Sequence, residues 1–429
     1  MTVKPFFTAF DPSDLPGGSI DPLGFDSGYT YLADRILPGL TNVASQPRYI
    51  SMMCAAIHLA DVSSDLSPRT QYAERLNSIL KLERLWALAH VIDDPEPGIG
   101  IRGITYATAH FNSLQRKNKN YTNAEYQLLS RQIAYGAVGI YGAVADGMKF
   151  FNRKTFSLTP GLGEPLAKAF IEETRIPESV INAVKSSRIS VPILDLHDWL
   201  SYCHIKYIPS LKERECIHDA LIYNPIRAKM AGLAIKYPFQ EGEEEIARLK
   251  RISRAIKNDS GFDDLYKSIQ LIILFENSYR LAQLALERLI FICRHEANAS
   301  LSELSNDNVI NYVTRRLPEN VRKLHKYYNQ SDSRINNTVY FLDNAAEACS
   351  SCKRFIDVLI HRHKDVQHGK FDRGRRKTPW IECSGQRLHL ISTRVGGLHF
   401  EAKMLDDISP HPYRLTALDE FCRVGGNTE

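Results

Sequence analysis

Apolar side chains recur at helical spacing along most of the chain. Between residues 68 and 92 the apolar side chains lie on one face of an α-helix with 3.6 residues per turn. The cluster Asp93-Asp94-Pro95 then ends the pattern. A longer pattern starts at Asp263 and continues for about thirty residues. The same spacing predicts further helices over residues 29–37, 47–60, 241–257, 306–317, 318–328 and 336–363. The sequence therefore predicts a mainly α, multi-helical protein.

Clusters of glycine and proline separate these helices and indicate how the chain is divided. A chain of 429 residues is long for one hydrophobic core, so two or three subdomains are expected. The predicted segments are an irregular lead-in (1–27), an N-terminal helical domain (28–160), a middle helical region (161–260), a C-terminal helical domain (261–377) and a small α+β appendage (378–429).

In the appendage the hydrophobic period changes from that of a helix to that of a strand. Residues 386–394 alternate polar and apolar side chains, Gly396 and Gly397 offer a turn, and residues 398–400 resume the alternation. This pattern predicts a β-hairpin. A short helix is expected after it, from Pro412 to Val424.

Two features inside the helical patterns carry expectations about packing. Gly136, Gly139 and Gly142 recur every three residues within a helical pattern over 122–151, which predicts that another backbone lies close to this helix. Along the helix that starts at Asp263, charged residues such as Glu276 and Arg280 are expected to form surface ion pairs.

Composition narrows the class of protein. Hydrophobic residues make up 44% of the chain and charged residues 24%, which is typical of a globular protein. No apolar run is long enough to span a bilayer, and the eight cysteines show no disulfide spacing, so no membrane partner and a cytoplasmic location are expected. The glycines at 98, 100 and 103 match G-x-G-x-x-G, but a proline-rich turn precedes them where a dinucleotide fingerprint has a strand. No cofactor is therefore expected.

Positive charge is concentrated late in the chain. Between His361 and Lys377 seven Lys and Arg accompany two Asp, so this segment alone carries the net +5 of the whole chain. A helix C-terminus needs only one or two cations to complement its dipole, and the excess favours a polyanion such as a phosphate backbone. The predicted nucleic-acid-binding residues are Arg362, Lys364, Lys370, Arg373, Arg375, Arg376, Lys377 and Trp380.

Metal-binding patterns near this segment are incomplete. Cys349-Ser-Ser-Cys352 lies in a predicted helix and lacks the second cysteine pair of a zinc ribbon. His361, Asp365 and His368 share one face of a regular helix and as a set suit a transition metal, but Lys364 shares that face. The His, Asp and Cys residues between 195 and 204 have no recognised ligand spacing. No metal site is assigned.

The run from Arg362 to His368, Arg-His-Lys-Asp-Val-Gln-His, is similar to the R-x(4-6)-H signature of HEPN-type ribonucleases, which are helical proteins. The resemblance covers the segment from the helix at Asp263 to Lys370. It implies metal-independent RNA cleavage at a site shared between two protomers, and hence a homo-oligomer. His368 would act as general acid or base on the ribose 2′-OH, and Arg362 would stabilise phosphorane charge. In a regular helix these two side chains point about 120° apart.

A wider resemblance rests on the stretches YLADRILPGL, QPRYISMM, RHKDVQ, RGRRKTPWIE and HPYRL. Together they resemble a family of bacterial proteins encoded beside phage-defence and DNA-modification genes. This resemblance spans most of the chain and implies a context rather than a reaction. It assigns a distinctive surface to Arg362, His363, Gln367, Lys377, Pro379 and Trp380.

The sequence thus predicts a nucleic-acid-associated component of a bacterial anti-phage defence assembly. It would bind the phosphate backbone of DNA or RNA through the basic segment and would have other protein subunits as partners. Two alternatives stay open. One is a metal-independent HEPN-type ribonuclease with Arg362 and His368 as catalytic residues, and the other is a purely structural subunit of a protein complex.

Overall fold

The computed structural model describes residues 21–60, 62–93, 100–186, 189–295, 299–330, 332–372, 375–391 and 403–426. Over these residues the protein is mainly α, as predicted. None of the described helices combines the length and the apolar composition that crossing a lipid bilayer requires. The helices, numbered in chain order, are α1 (Asp26–Ile36), α2 (Arg48–Leu59), α3 (Pro68–Asp93), α4 (Ile104–Arg116), α5 (Gln132–Tyr135), α6 (Ala137–Gly147), α7 (Gly163–Thr174), α8 (Glu178–Lys185), α9 (Ile193–Cys203), α10 (Leu211–Ile222), α11 (Pro225–Lys236), α12 (Glu245–Ile256), α13 (Asp263–His295), α14 (Leu301–Leu304), α15 (Asn308–Leu324), α16 (Asn336–Ala348), α17 (Cys352–His368) and α18 (Leu415–Gly425).

The described β-structure consists of short antiparallel ladders. Strands β1 and β4, β2 and β3, and β6 and β7 form pairs, while β8 and β9 form a hairpin whose β9 edge also pairs with β5. The strands are β1 (Tyr121–Thr122), β2 (Phe151–Asn152), β3 (Ser157–Leu158), β4 (Val191–Pro192), β5 (Ala299–Ser300), β6 (Phe371–Asp372), β7 (Arg375–Arg376), β8 (Ile381–Ser384) and β9 (Arg387–Leu390).

The chain packs as two compact units that interleave along the sequence. The first unit contains the described residues up to Ile36 together with Phe239–Tyr413, and the second contains Leu37–Pro238 together with the described residues from Arg414 onward. This division differs from the five consecutive segments predicted. Helix α1 leaves the predicted N-terminal domain because it packs on α13, and α18 leaves the predicted appendage because it packs on α10 and α11.

Helix α13 is the centre of the first unit. Buried residues occur on more than one side of this 33-residue helix, and it packs on α1, α12, α15 and β9. Phe25, which precedes α1, lies against the rings of Phe275 and Tyr279 on α13, with centroids 5.4 and 5.1 Å away. Its ring also meets Phe341 of α16 edge-on at 6.1 Å. This aromatic cluster fixes the residues before α1 onto the core of the first unit.

Helix α2 is the centre of the second unit. Eleven of its twelve residues are buried, where it packs on α3, α6 and α7. Glu83 of α3 is also buried, and it accepts hydrogen bonds from the Ala137 backbone N–H (2.6 Å) and from Nε2 of Gln132 (2.8 Å). Burial raises the pKa of Glu83 to about 7. One buried carboxyl group therefore ties the start of α6 to α3.

The prediction of a single helix over residues 122–151 is wrong. This segment contains β1, α5 and α6, and Gly136 separates the two helices in an extended conformation. The neighbour that α3 presents to Gly136 is the Glu83 carboxylate, 2.7 Å from where a Cβ would stand. Backbone lies close to Gly139 of the predicted row, where a Cβ would collide with the Ala134 carbonyl oxygen of α5. Backbone also lies close to Gly147, where a Cβ would stand 2.6 Å from the Cα of Gly39.

Two further helix boundaries differ from the prediction. Helix α15 continues through Pro318, because the buried residues Leu317 and Val321 on either side keep its apolar row packed on α13. This packing outweighs the hydrogen bond that proline cannot donate. The helix predicted over 336–363 is two helices, α16 and α17, with residues 349–351 between them. The predicted cysteine pair therefore spans a break between helices.

The predicted C-terminal hairpin is present with a different pairing. Strand β9 lies inside the predicted strand 386–394, but it pairs with β8 across a turn that contains Gly385 with φ +64°. The positive φ suits glycine, which has no Cβ to clash. The predicted partner strand, 398–400, lies outside the described residues.

Candidate nucleic-acid interface

The second half of α17 and the residues after it contain the predicted site. Helix α17 is amphipathic, and its inner face is part of the first unit's core. The buried positions recur at three- and four-residue spacing and continue into the basic stretch: Phe355, Ile356, Leu359, Ile360, His363 and Gln367. The cations of the basic segment therefore surround a helix end that is anchored on its inner side.

His363 is completely buried and holds two distant backbone segments. Its Nδ1 is 3.0 Å from the carbonyl oxygen of Pro22, and its Nε2 accepts the backbone N–H of Trp380 at 2.9 Å. This pattern assigns the ring proton to Nδ1. Burial lowers the pKa of His363 to about 4, so the ring is neutral at pH 7. The Trp380 ring packs against it at 5.1 Å.

Arg362 also faces into the first unit. Its Nε donates to the Leu23 carbonyl oxygen at 2.8 Å, and its guanidinium carbon lies 5.2 Å from the centroid of the Phe341 ring. Burial is the main cause that lowers its pKa. Gly24, with φ +74°, passes so close that a Cβ there would stand 3.0 Å from Nη2 of Arg362. This guanidinium is used to hold the residues before α1.

Lys370 completes the attachment of these residues. Its ammonium group donates to the backbone carbonyl oxygen of Asp21. The Asp21 carboxylate in turn accepts the N–H groups of Gly24 (2.7 Å), Phe25 (2.9 Å) and Asp26 (2.9 Å), at the start of α1. Such a carboxylate satisfies N–H groups that a helix start leaves unpaired.

These contacts change the picture of the predicted surface. His363, Gln367 and Pro379 are buried, so the distinctive surface that includes them is not a surface at these positions. Arg362 and Lys370, which are predicted to bind phosphate, donate to backbone carbonyl oxygens. The local sequence does not distinguish Arg362 and Lys370 from solvent-facing cations, because their partners lie about 340 residues away in the chain.

The outward-facing part of the predicted set is smaller. Lys364 is half-exposed and lies 3.6 Å from the Glu382 carboxylate. Lys377 is half-exposed, and its backbone N–H donates to the Lys370 carbonyl oxygen at 2.9 Å. Arg376 is exposed on β7. Arg375 lies on the same strand, and Arg373 lies outside the described residues.

His368 is the last residue of α17 and is half-buried. Within the described part of the chain its side chain has no hydrogen-bonding partner. Arg362, six residues earlier on the same helix, is committed to Leu23 and Phe341 on the inner side. The structure therefore gives Arg362 an anchoring role.

Comparison with protein-family models, with curated proteins and with solved structures gives no match. The assignment of a function therefore depends on the side chains themselves.

The residues of the predicted metal patterns do not come together as a set of ligands in the described part of the chain. Among the described residues no group of three or more His, Cys, Asp and Glu side chains is placed to hold a metal ion. His361 and Asp365 form an exposed pair at 3.4 Å. Burial raises the pKa of Cys349 to about 12, which opposes the thiolate form that binds metals.

Two charged residues of α13, which were predicted to lie at the surface, are buried in the first unit. Glu276, expected in a surface ion pair, is completely buried and accepts hydrogen bonds from the His411 N–H (3.0 Å) and the Tyr413 hydroxyl (2.7 Å). Its other contact is Nδ1 of His411 at 2.9 Å. Arg280 is 5% exposed, and its Nη2 donates to the Leu405 carbonyl oxygen at 2.8 Å. These charged groups of α13 anchor the residues before α18.

Proposed function

We propose that the protein binds the phosphate backbone of nucleic acid through the paired strands β6 and β7 that follow α17, here called the basic hairpin, as a component of a bacterial anti-phage defence assembly. The binding part of this proposal is supported by the exposed side chains of Phe371 and Arg376. The defence context is supported only by the resemblance of the five sequence stretches given above.

The observation that carries the proposal is the pairing of an exposed aromatic ring with an exposed cation. Phe371 is 58% exposed and stands directly opposite Arg376 across the β6–β7 ladder. Side chains of directly paired residues lie on the same face of a ladder. Proteins that bind single-stranded nucleic acid combine cations for the phosphates with aromatic rings on which bases stack. The basic hairpin offers both groups on one face.

The test is fluorescence anisotropy with a labelled single-stranded RNA or DNA. We expect Phe371→Ala combined with Arg376→Gln to weaken binding at least about fivefold, since one base–aromatic stack is worth about 1–3 kcal/mol. The matched control is Tyr121→Ala with Lys119→Gln, because Tyr121 is also 58% exposed on a short strand and Lys119 is exposed beside it. Equal affinities of wild type and hairpin variant would overturn the proposal.

The same preparation separates binding from ribonuclease activity. RNA is incubated with wild type and His368→Ala in the presence of a chelator. A binding protein leaves the RNA intact in both samples. Cleavage by the wild type that the variant loses, with unchanged affinity, would favour the HEPN-type alternative instead.

An observation in the second unit favours the alternative that the protein is a structural subunit of a protein complex. Nine large apolar side chains between Leu194 and Ile235 are exposed, among them Ile208 (74%) and Tyr223 (66%). Contiguous exposed apolar patches are typical of protein-binding surfaces. Helices α10 and α11 pack on each other and carry part of this set, namely Leu211, Ile222, Ile226 and Ile235. We expect the purified chain to self-associate in analytical ultracentrifugation and Ile208→Ser with Tyr223→Ser to reduce the association. A chain that is monomeric at every concentration tested would contradict this candidate.

A further inference from the structure

A second group of cations lies on α15, outside the segment that the sequence singled out. The inner face of this helix is formed by Ile310, Val313, Leu317, Val321 and Leu324, which are buried. The side of the helix opposite this buried row carries four cations within an arc of about 120°, counted at 100° per residue. They are Arg315, Arg316, Arg322 and Lys323. All four are exposed, as is Lys326 just beyond the helix. We call Arg315, Arg316, Arg322, Lys323 and Lys326 the α15 basic stripe.

The sequence did not reveal this stripe because its members belong to two predicted helices. The predicted boundary at Pro318 placed Arg315 and Arg316 on one helix and the other cations on the next. Continuous helical structure through Pro318 brings them onto one face. Pattern searches that stop at proline miss such rows.

Net charge shows that the stripe is more than an ordinary solvated face. Residues 308–326 carry five Lys or Arg and one Glu, a net +4. With the +5 of residues 361–377, the two segments reach +9 in a chain whose total is +5, so the rest of the chain is at −4. An ordinary solvent-facing helix carries both signs in similar numbers, whereas here one Glu stands among five cations. The positive charge is thus gathered in two segments, while the remainder of the chain is close to neutral for its length.

Glu319, the one acidic residue in 308–326, lies on the same face as the stripe. It interacts electrostatically with Lys323, Arg316 and Arg322. Lys323 pairs with Glu319 at 2.7 Å, and this pair is exposed. Nε of Arg315 donates to the Asn311 carbonyl oxygen at 3.0 Å, and the Arg316 guanidinium lies 5.9 Å from the Tyr312 ring centroid. Arg322 and Lys326 stand four residues apart, a spacing at which like charges repel. One carboxylate among five cations leaves an excess of positive charge on this face, which suits an external anion.

We infer that the α15 basic stripe is a second, sequence-independent contact for the nucleic-acid backbone; this inference rests on the proposed function. From Arg315 to Lys326 the stripe extends about 17 Å, over which one strand of a duplex presents about five phosphates. A polyanion matches this length better than a single small anion does. Tyr312, which is 37% exposed and lies beside Arg316, adds an aromatic group next to the stripe.

The test compares two variants with the same change in net charge. The stripe variant is Arg315→Gln with Arg322→Gln and Lys326→Gln, and the control is Lys168→Gln with Lys212→Gln and Lys236→Gln, exposed lysines of the second unit. Glutamine keeps helix propensity, and all six positions are exposed, so both variants are expected to fold. Anisotropy is recorded with single-stranded and duplex RNA of one sequence over a range of salt.

The stripe variant is expected to flatten the slope of log K against log salt by about two to three, because each lost phosphate contact removes about 0.7–0.9. The change should be similar for both RNAs, whereas the hairpin variant should affect the single strand more. The control should follow the wild type. Equal effects of stripe and control variants, or a stripe variant that matches wild type while the hairpin variant binds weakly, would overturn the inference alone. No binding by the wild type would overturn both proposals.

Discussion

His363 connects two parts of the first unit through its two ring nitrogens. One nitrogen meets the Pro22 carbonyl oxygen and the other accepts the Trp380 N–H. Its neighbours in the basic segment, Arg362 and Lys370, end on the carbonyl oxygens of Leu23 and Asp21. At the scale of single residues, a cation in a basic segment can therefore be a backbone anchor as well as a solvent-facing charge. Only the three-dimensional partner decides between them.

The anchoring role of His363 predicts a specific loss of stability. His363→Ala leaves a buried carbonyl oxygen and a partly buried N–H without partners, and each such group costs about 1–3 kcal/mol. We expect the free energy of unfolding to fall by about 2–4 kcal/mol in urea denaturation. The control is His361→Ala on the same helix, where the side chain is 77% exposed. Equal stability of the two variants would contradict the anchor.

The same histidine predicts a pH dependence with a definite sign. Its pKa is about 4 in the folded protein and about 6.5 when unfolded, so between these values the unfolded chain binds more protons. Stability from this residue is present above pH 6.5 and is lost as the pH falls towards 4, by up to about 3 kcal/mol. Urea titrations at several pH values should show a smaller acid loss in His363→Gln than in wild type. Parallel pH profiles would refute this assignment.

At the scale of elements, the local apolar pattern predicts which helices form. It does not predict where a helix breaks or where it continues through a proline. Helices α3 and α13 match their predicted spans because long apolar periodicity has no competing interpretation. The break at Gly136 depends on the Glu83 carboxylate, and the continuation through Pro318 depends on packing against α13. Both causes lie on other elements, so a local pattern cannot contain them.

Two glycines in the second unit provide a matched test of backbone packing. Gly147→Ala would place a Cβ 2.6 Å from the Cα of Gly39, so we expect a loss of at least about 2 kcal/mol in the free energy of unfolding. Gly232 of α11 has no atom within 4 Å of its Cβ position, and Gly232→Ala should stabilise the protein by about 1 kcal/mol. Thermal or urea unfolding measures both. Effects of the same sign would contradict the close approach.

At the scale of the whole molecule, the division into units depends on contacts between distant parts of the sequence. Helix α1 joins the first unit and α18 the second, each separated from its partners by a long stretch of chain. Composition and linkers predicted the helical class but could not assign these terminal helices. The candidate site shows the same limit: the sequence located the basic segment, but the structure turns its Arg362 and Lys370 inward, and further exposed cations lie along α15.

The most direct measurement is the affinity of the wild-type chain for labelled single-stranded RNA between about 50 and 200 mM salt. If phosphate binding by the basic hairpin and the stripe is the function, log K falls linearly with log salt and the chain binds tightly at the lowest concentration. Absence of binding at about 50 mM salt, or an affinity independent of salt, would contradict the account.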